Sequence, residues 1–300
     1  MASDDQDCLQ RFVFDRARVR GELVRLDATW QEVLRRRDYP APLRAALGEL
    51  MAAFALLTAT LKFPGGALVL QVQGGGPVRL LVVECQSDLG LRATAQHDEL
   101  AHLGAAPTLR ALTAGGRCVL TLDAGSGRQS YQSAVPLEGL GVAEVLERYM
   151  ARSEQLDTRF VLAADERRAA GLLLQRLPDH GGHAGAREDA DLWERSGHLA
   201  RTLTASELLG LPGDEILKRL FHHETLRVFE SLPVRFACRC SRERVAGLIR
   251  MLGPGEARAV LAEQGRLAVT CDFCAETYVF DPGQAEAALA DRQAPTPSRA

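Results

Sequence analysis

From residue 11 to residue 26 the chain reads RFVFDRARVRGELVRL, with apolar residues recurring two apart. That is the period of a strand with one face on a core, and the segment predicts a strand pair. Thr29-x-x-Glu32 has the form of a capping box opening a short helix. Pro40 and Pro42 end that helix and start another, rich in Ala and Leu, running to about Lys62. Gly65-Gly66 marks a turn. ALVLQVQ (67–73) and VRLLVVEC (78–85), joined through GGGP, predict a hairpin. A second strand pair is expected within 118–135, a helix over 142–149, and strands over 159–163 and 170–177. These elements give an α+β fold class, with a mixed N-terminal domain of antiparallel hairpins and helices over residues 1–178.

The character of the chain changes after Pro178. DHGGHAGARED (179–189) is polar and Gly-rich, the composition of a flexible linker. A helical stretch follows from about 191 to 221, with a capping signal at Thr204-x-x-Glu207 and a break at Gly210-Leu-Pro-Gly213. Its apolar residues are Leu199, Leu203, Leu208, Leu209, Ile216, Leu217, Leu220 and Phe221. Helices this short are not stable alone and must dock on something. Residues 179–233 are therefore a flexible and helical linker region. Residues 234–290 form a small cysteine-bearing module, and 291–300 a disordered tail.

The chain has 300 residues, 46% of them hydrophobic, enough for a substantial core and more than one domain. A formal net charge of −3 gives no bulk electrostatic reason for a nucleic-acid or membrane partner. The opening MASDDQDC is acidic and has no apolar run of the secretory kind. The longest apolar stretch, about 45–61, is interrupted by Glu49 and reads as a buried core helix. A cytoplasmic protein with reduced thiols is the expectation. The glycine runs at 74–76 and 125–127 read as hairpin turns, and no Gly-x-x-x-x-Gly-Lys-[Ser/Thr] is present, so ATP hydrolysis has no support. No Ser/His/Asp arrangement has a recognisable context, and no catalytic site is expected. His180, His183, His198, His222 and His223 fall in the linker, with spacings that do not suit a second metal site.

Seven cysteines are present, and an odd number argues against a disulfide framework. Cys85 and Cys118 lie on apolar strands and read as buried small hydrophobes. Cys8 lies at an exposed-looking terminus. The other four form two tight pairs, Cys238-Arg-Cys240 and Cys271-Asp-Phe-Cys274. Two short pairs suit one tetrahedral Zn²⁺ with Zn–S distances of about 2.3 Å. Redox pairs without metal are the competing reading. A thioredoxin-like role for Cys271-x-x-Cys274 is weaker, because CDFCAETYVF runs into another strand rather than a helix. A module this small has a thin core, and structural zinc contributes on the order of 10–16 kcal/mol that is also folding energy. Arg235, Arg239, Arg242 and Arg244 crowd the first pair, and their charges are expected to favour thiolates. In an extended strand, Cα atoms two residues apart are roughly 6.6–7 Å from one another, at or past the reach of a disulfide. Zinc ligation and paired disulfides therefore demand different local folds. The Arg-rich knuckle also admits a zinc-ribbon nucleic-acid binder, against which the acidic balance speaks, and a thiol-disulfide oxidoreductase is a third class.

CRCSRER (238–244) followed by CDFC (271–274) resembles the zinc centre of the heat-shock protein 33 family, bacterial redox-regulated holdase chaperones. VRGELVRL (19–26), LLTATLKF (56–63), QGGGP (73–77), YMARSEQLDTRF (149–160) and GLLLQRLP (171–178) are similar to segments of that family in the same order. The resemblance covers nearly the whole chain. It implies a non-enzymatic, ATP-independent chaperone that holds one zinc ion and is inactive when reduced. Under oxidative stress the two cysteine pairs become disulfides, zinc is released, and the module and linker unfold. The protein then binds unfolding or misfolding clients as a homodimer, with no nucleic acid and no membrane involved. Carried over, Cys238, Cys240, Cys271 and Cys274 are the zinc ligands and redox centres. Leu199, Leu203, Leu208, Leu209, Ile216, Leu217, Leu220 and Phe221 are client-binding candidates. The chain departs from the family at Ala275, where relatives have Gly after the last cysteine. If that position needs positive φ, Ala costs about 1 kcal/mol or more and weakens zinc binding.

Overall fold

The alternating segment forms the expected antiparallel pair, β1 (Cys8–Phe14) and β2 (Val19–Leu26), with Phe12 opposite Gly21. The computed structural model of the chain describes residues 7–15, 17–99, 108–125, 129–139, 141–178 and 191–290. The Gly-rich segment with His180 and His183, the expected tail and residues 126–127 of the second glycine run lie outside them. After β2 come α1 (Ala28–Leu34), α2 (Ala41–Thr60), β3 (Ala67–Gln73), β4 (Val78–Gln86) and β5 (Gly90–His97). They are followed by α3 (Leu109–Thr113), β6 (Arg117–Asp123), β7 (Tyr131–Ala134) and α4 (Val142–Tyr149), which runs into a π-helical turn (Met150–Glu154). Next are β8 (Thr158–Ala164), β9 (Ala169–Arg176), α5 (Leu192–Arg201), α6 (Ala205–Gly210), α7 (Gly213–Phe221), and the short strands β10 (Leu226–Val228), β11 (Leu232–Pro233) and β12 (Arg235–Phe236). The chain divides into two units between Ala237 and Cys238. The second holds α8 (Arg242–Leu252), α9 (Pro254–Gln264), β13 (Leu267–Thr270), β14 (Thr277–Phe280) and α10 (Pro282–Ala290).

The first unit is built on two sheets. One has the order β10-β1-β2-β9-β8, with β11 also on β1; the other has the order β12-β5-β4-β3-β6-β7. β12 lies parallel on β5, with Arg235 opposite Gly90, which is why the first unit extends to Ala237. The α2 helix packs on β2, β8 and β9 of one sheet and on β3, β4 and β5 of the other. It is long and apolar enough for a membrane span, with mean hydropathy 1.4 over 18 residues, yet 72% of that stretch is buried inside the protein. Leu43, Leu47, Leu50, Met51, Phe54 and Leu56 are each 0–1% exposed, and burial of such side chains stabilises by about 2 kcal/mol apiece.

The opposite face of the first sheet is covered by α5, α6 and α7. Phe12, Phe14, Val19 and Leu23 from β1 and β2, with Leu172 and Leu174 from β9, form an apolar floor. Leu203, Leu208, Ile216, Leu217, Leu220 and Phe221 are buried against it, and Leu199 and Leu209 are half-buried on it. The Phe221 ring lies 5.1 Å from Phe14 and 6.0 Å from Phe12, centroid to centroid. With helices on both faces, β9 is buried at its first seven positions, the pattern of a strand covered on two sides. The capping box expected at Thr204 and Glu207 is present at the start of α6.

Two expectations are corrected. Thr29-x-x-Glu32 is not a capping box: the N-cap of α1 is Asp27, two residues earlier, and Thr29 is buried inside the helix. The Asp7 side chain accepts hydrogen bonds from the backbone N–H groups of Asp27, Ala28 and Thr29, so a carboxylate remote in sequence satisfies the helix start. Cys8 is not at a loose terminus; it is half-buried in β1, opposite Arg25 and Pro233. The strand β5 has no counterpart in the sequence reading. Its inward positions include Ala93 and Ala95, poor strand formers that hide its alternation.

Glu22 is 2% exposed, and its Oε2 has no hydrogen-bond partner. Burial pushes its carboxyl up to about 7, against the pull of Arg20 and Arg11. The folded state therefore holds this proton more tightly than the unfolded chain, and its contribution to stability, full below about 4.5, is lost as pH rises to about 7. Glu22→Gln is expected to unfold at higher urea than wild type at pH 8, by on the order of 2–3 kcal/mol, and to match it at pH 4. Equal pH dependence of the two proteins would contradict this.

Candidate metal centre

The second unit has little apolar interior. Val245 and Ile249 of α8, Ala257 of α9, Leu267, Phe280 and Ala285 make up its buried cluster. The four paired cysteines lie at the loop ends of this unit. Cys238 and Cys240 sit in the segment just before α8, which starts at Arg242 with the Ser241 hydroxyl accepting from Arg244 N–H. The positive end of α8 thus begins two residues after a thiol. Cys271 and Cys274 sit in the turn between β13 and β14, whose last paired residues are Thr270 and Thr277. Within that turn Cys271 N–H donates to the Glu276 carbonyl and Ala275 N–H to the Cys271 carbonyl, both at 2.9 Å.

All four Sγ atoms lie within 4.8 Å of one another. Cys238 Sγ is 3.7 Å from Cys271 Sγ, and Cys240 Sγ is 3.2 Å from Cys274 Sγ. A tetrahedron with metal–sulfur bonds of about 2.3 Å has sulfur–sulfur edges of about 3.8 Å, so the cluster has the size of a tetrathiolate metal site. The donor set suits a soft, tetrahedral ion such as zinc. Tyr278 donates its hydroxyl to Cys240 Sγ at 3.2 Å, a contact of the kind that orients and tunes a ligand. Burial, and behind it the neighbouring sulfurs, push the Cys274 thiol well above its ordinary range. Four thiolates side by side therefore need a cation to compensate them.

Three of the four arginines expected to favour the thiolates have partners elsewhere. Arg242 stacks over the Phe280 ring at 4.2 Å and donates to the Val279 carbonyl and Gln284. Arg244 donates to the Arg239 carbonyl at 2.8 Å. Arg235 belongs to the first unit, where it pairs with Asp88 and holds that carboxyl below its usual range. Cys85 and Cys118 are buried far from any partner cysteine in strand order, and burial pushes both thiols up to about 12. They are inert packing residues, as expected. The eight apolar residues of the 191–221 helices all lie on the first sheet, outside the cysteine cluster.

Ala275 has φ +58°, the left-handed conformation that favours glycine. Ala275→Gly is expected to tighten metal binding about fivefold, a gain of about 1 kcal/mol, in competition with a chromophoric zinc chelator. Unchanged or weaker binding would show that the turn relaxes around Ala275 at no cost.

The family model described as "Hsp33 protein" matches residues 7–281. A protein of Methylobacillus flagellatus named 33 kDa chaperonin is 50% identical over 281 residues, covering 93% of each chain. One of the same name from Chromobacterium violaceum is 51% identical over 282 residues, covering 94% of this chain and 93% of that one. The crystal structure of a 33 kDa chaperonin from Thermotoga maritima superposes with a TM-score of 0.78 at 23% identity, covering 94% of this chain and 97% of that one, and shares the fold.

Proposed function

The chain belongs to the heat-shock protein 33 family, and from that membership we propose that it is a redox-regulated, ATP-independent holdase of the cytoplasm. The observation that carries the reading is the convergence of four cysteine sulfurs within 4.8 Å in a unit with a small apolar core. Bound zinc would neutralise the thiolates and cross-link the segment before α8 to the β13–β14 turn. In the reduced state Cys238, Cys240, Cys271 and Cys274 hold the second unit together. A peroxide removes two electrons for each disulfide formed, and two disulfides consume all four thiols, leaving no ligand. The second unit then keeps only its apolar cluster and loses folding energy on the order of 10 kcal/mol.

Between α7 and Cys238 lie three strands of two or three residues each. Loss of order in the second unit reaches α5, α6 and α7 through this marginal pairing. These helices leave the sheet, freeing Leu199, Leu203, Leu208, Leu209, Ile216, Leu217, Leu220 and Phe221 on one side. Phe12, Phe14, Leu23, Leu172 and Leu174 are uncovered on the other. An exposed apolar patch of this extent binds non-native chains and favours pairing of two copies. No catalytic step, nucleic acid or membrane enters the reading. The segment between β9 and Cys238 acts as the linker and residues 238–290 as the switch module, a boundary four residues later than the sequence suggests.

The test is light scattering of a thermally unfolding protein with this chain added either zinc-loaded and reduced or after mild peroxide treatment. Suppression of aggregation by the oxidised form alone is expected. Equal suppression by both forms would make the metal purely structural, and none by either would overturn the holdase reading.

A further inference from the structure

α5 is lightly anchored on the first sheet. It buries only Leu192 and Ala200 fully among its apolar residues, whereas α7 buries Ile216, Leu217, Leu220 and Phe221. Besides the Arg195–Glu224 pair at 2.9 Å, α5 is tied down by Arg159 of β8, on the sheet face that these helices cover. Arg159 Nη1 donates to the Trp193 carbonyl at 3.2 Å, and Nη2 to Glu194 Oε2 at 2.8 Å. The guanidinium carbon lies 4.5 Å from the centroid of the Trp193 ring, a cation–π geometry. The side chain passes beneath Gly197. A Cβ there would fall 1.3 Å from Arg159 Nη1 and 2.3 Å from its Cζ, where ordinary contact is 3.4–4 Å.

We propose that Arg159 is a positioning residue of the inactive form, a bolt that clamps α5 on the sheet through the slot left by Gly197. The inference rests on the holdase reading and names the contact that keeps the client-binding surface covered. The bolt is all-or-none, since lifting α5 removes the stacking, the Trp193 carbonyl and the Glu194 carboxylate together. It also releases without stranding a buried charge. Glu147 of α4, whose carboxylate accepts from Phe160 N–H at 2.7 Å, is close enough to be drawn by Arg159 and by Arg201 and stays on the core side. A well-packed apolar seam would not give the first property, because it loosens in proportion to the area exposed.

The test uses the full chain, reduced and zinc-loaded, as wild type, Gly197→Ala, Arg159→Ala and the double variant, with metal content measured in each. Gly197→Ala is expected to retain its zinc, to speed amide exchange over 192–201 at least about tenfold, and to suppress aggregation without oxidant. In the double variant the slot is empty, so adding Gly197→Ala to Arg159→Ala is expected to change exchange less than about twofold, a non-additive pair. Wild-type exchange in Gly197→Ala, or additive effects in the double variant, would overturn the bolt. So would fast exchange with no gain of activity when the oxidised wild type is active. If the oxidised wild type is itself inactive, the holdase reading fails, and the exchange cycle still decides whether Arg159 clamps α5.

Discussion

The first sheet has two apolar faces, and both must be covered. β9 makes the constraint visible, with seven successive buried positions between α2 on one side and the α5–α7 helices on the other. The two covers are unequal. α2 has 20 residues, is apolar nearly all round and is gripped by two sheets, so it leaves only if the whole unit unfolds. The other cover consists of helices of 10, 6 and 9 residues, each too short to persist in water without the sheet. A protein that hides an apolar sheet under its least stable helices can expose binding surface while keeping its core.

In the proposed function the second unit supplies the condition on which that exposure depends. Its apolar cluster is small, and a metal held by the four cysteines would add folding energy. The cysteines bring together segments more than thirty residues apart, so ligation would close the unit on itself. A thiol is also the ligand type most readily lost to oxidation, which would couple the stability of this unit to redox state.

Much of the first unit was legible because its signals are local. The alternation of β1 and β2, the helix over 142–149 and the capping box at Thr204 depend on residues close in sequence, and each is found. The pairing of the four cysteines was legible for the same reason, with residue types and short spacings carrying it, and Ala275 has the positive φ that was considered for it. What escaped depends on residues far apart in the chain. Thr29 and Glu32 have the letters of a capping box, but Asp7 takes that role from 20 residues away. Arg159 and Gly197 read as an ordinary arginine and an ordinary helical glycine until β8 and α5 are brought face to face. Arg242 and Arg244 look like a charge cloud around the thiols, but their donors close backbone turns and a ring contact instead.

The central claim is that metal loss in the second unit uncovers one face of the first sheet and leaves the other closed. Hydrogen exchange read by mass spectrometry on the reduced, zinc-loaded chain and on the peroxide-treated chain tests it directly. The account predicts that residues 238–290 and 191–221 lose protection together on oxidation, while residues 41–60 of α2 keep theirs. Retained protection over 191–221 in an oxidised, aggregation-suppressing sample would contradict it, because clients would then be held by a surface other than the one beneath these helices.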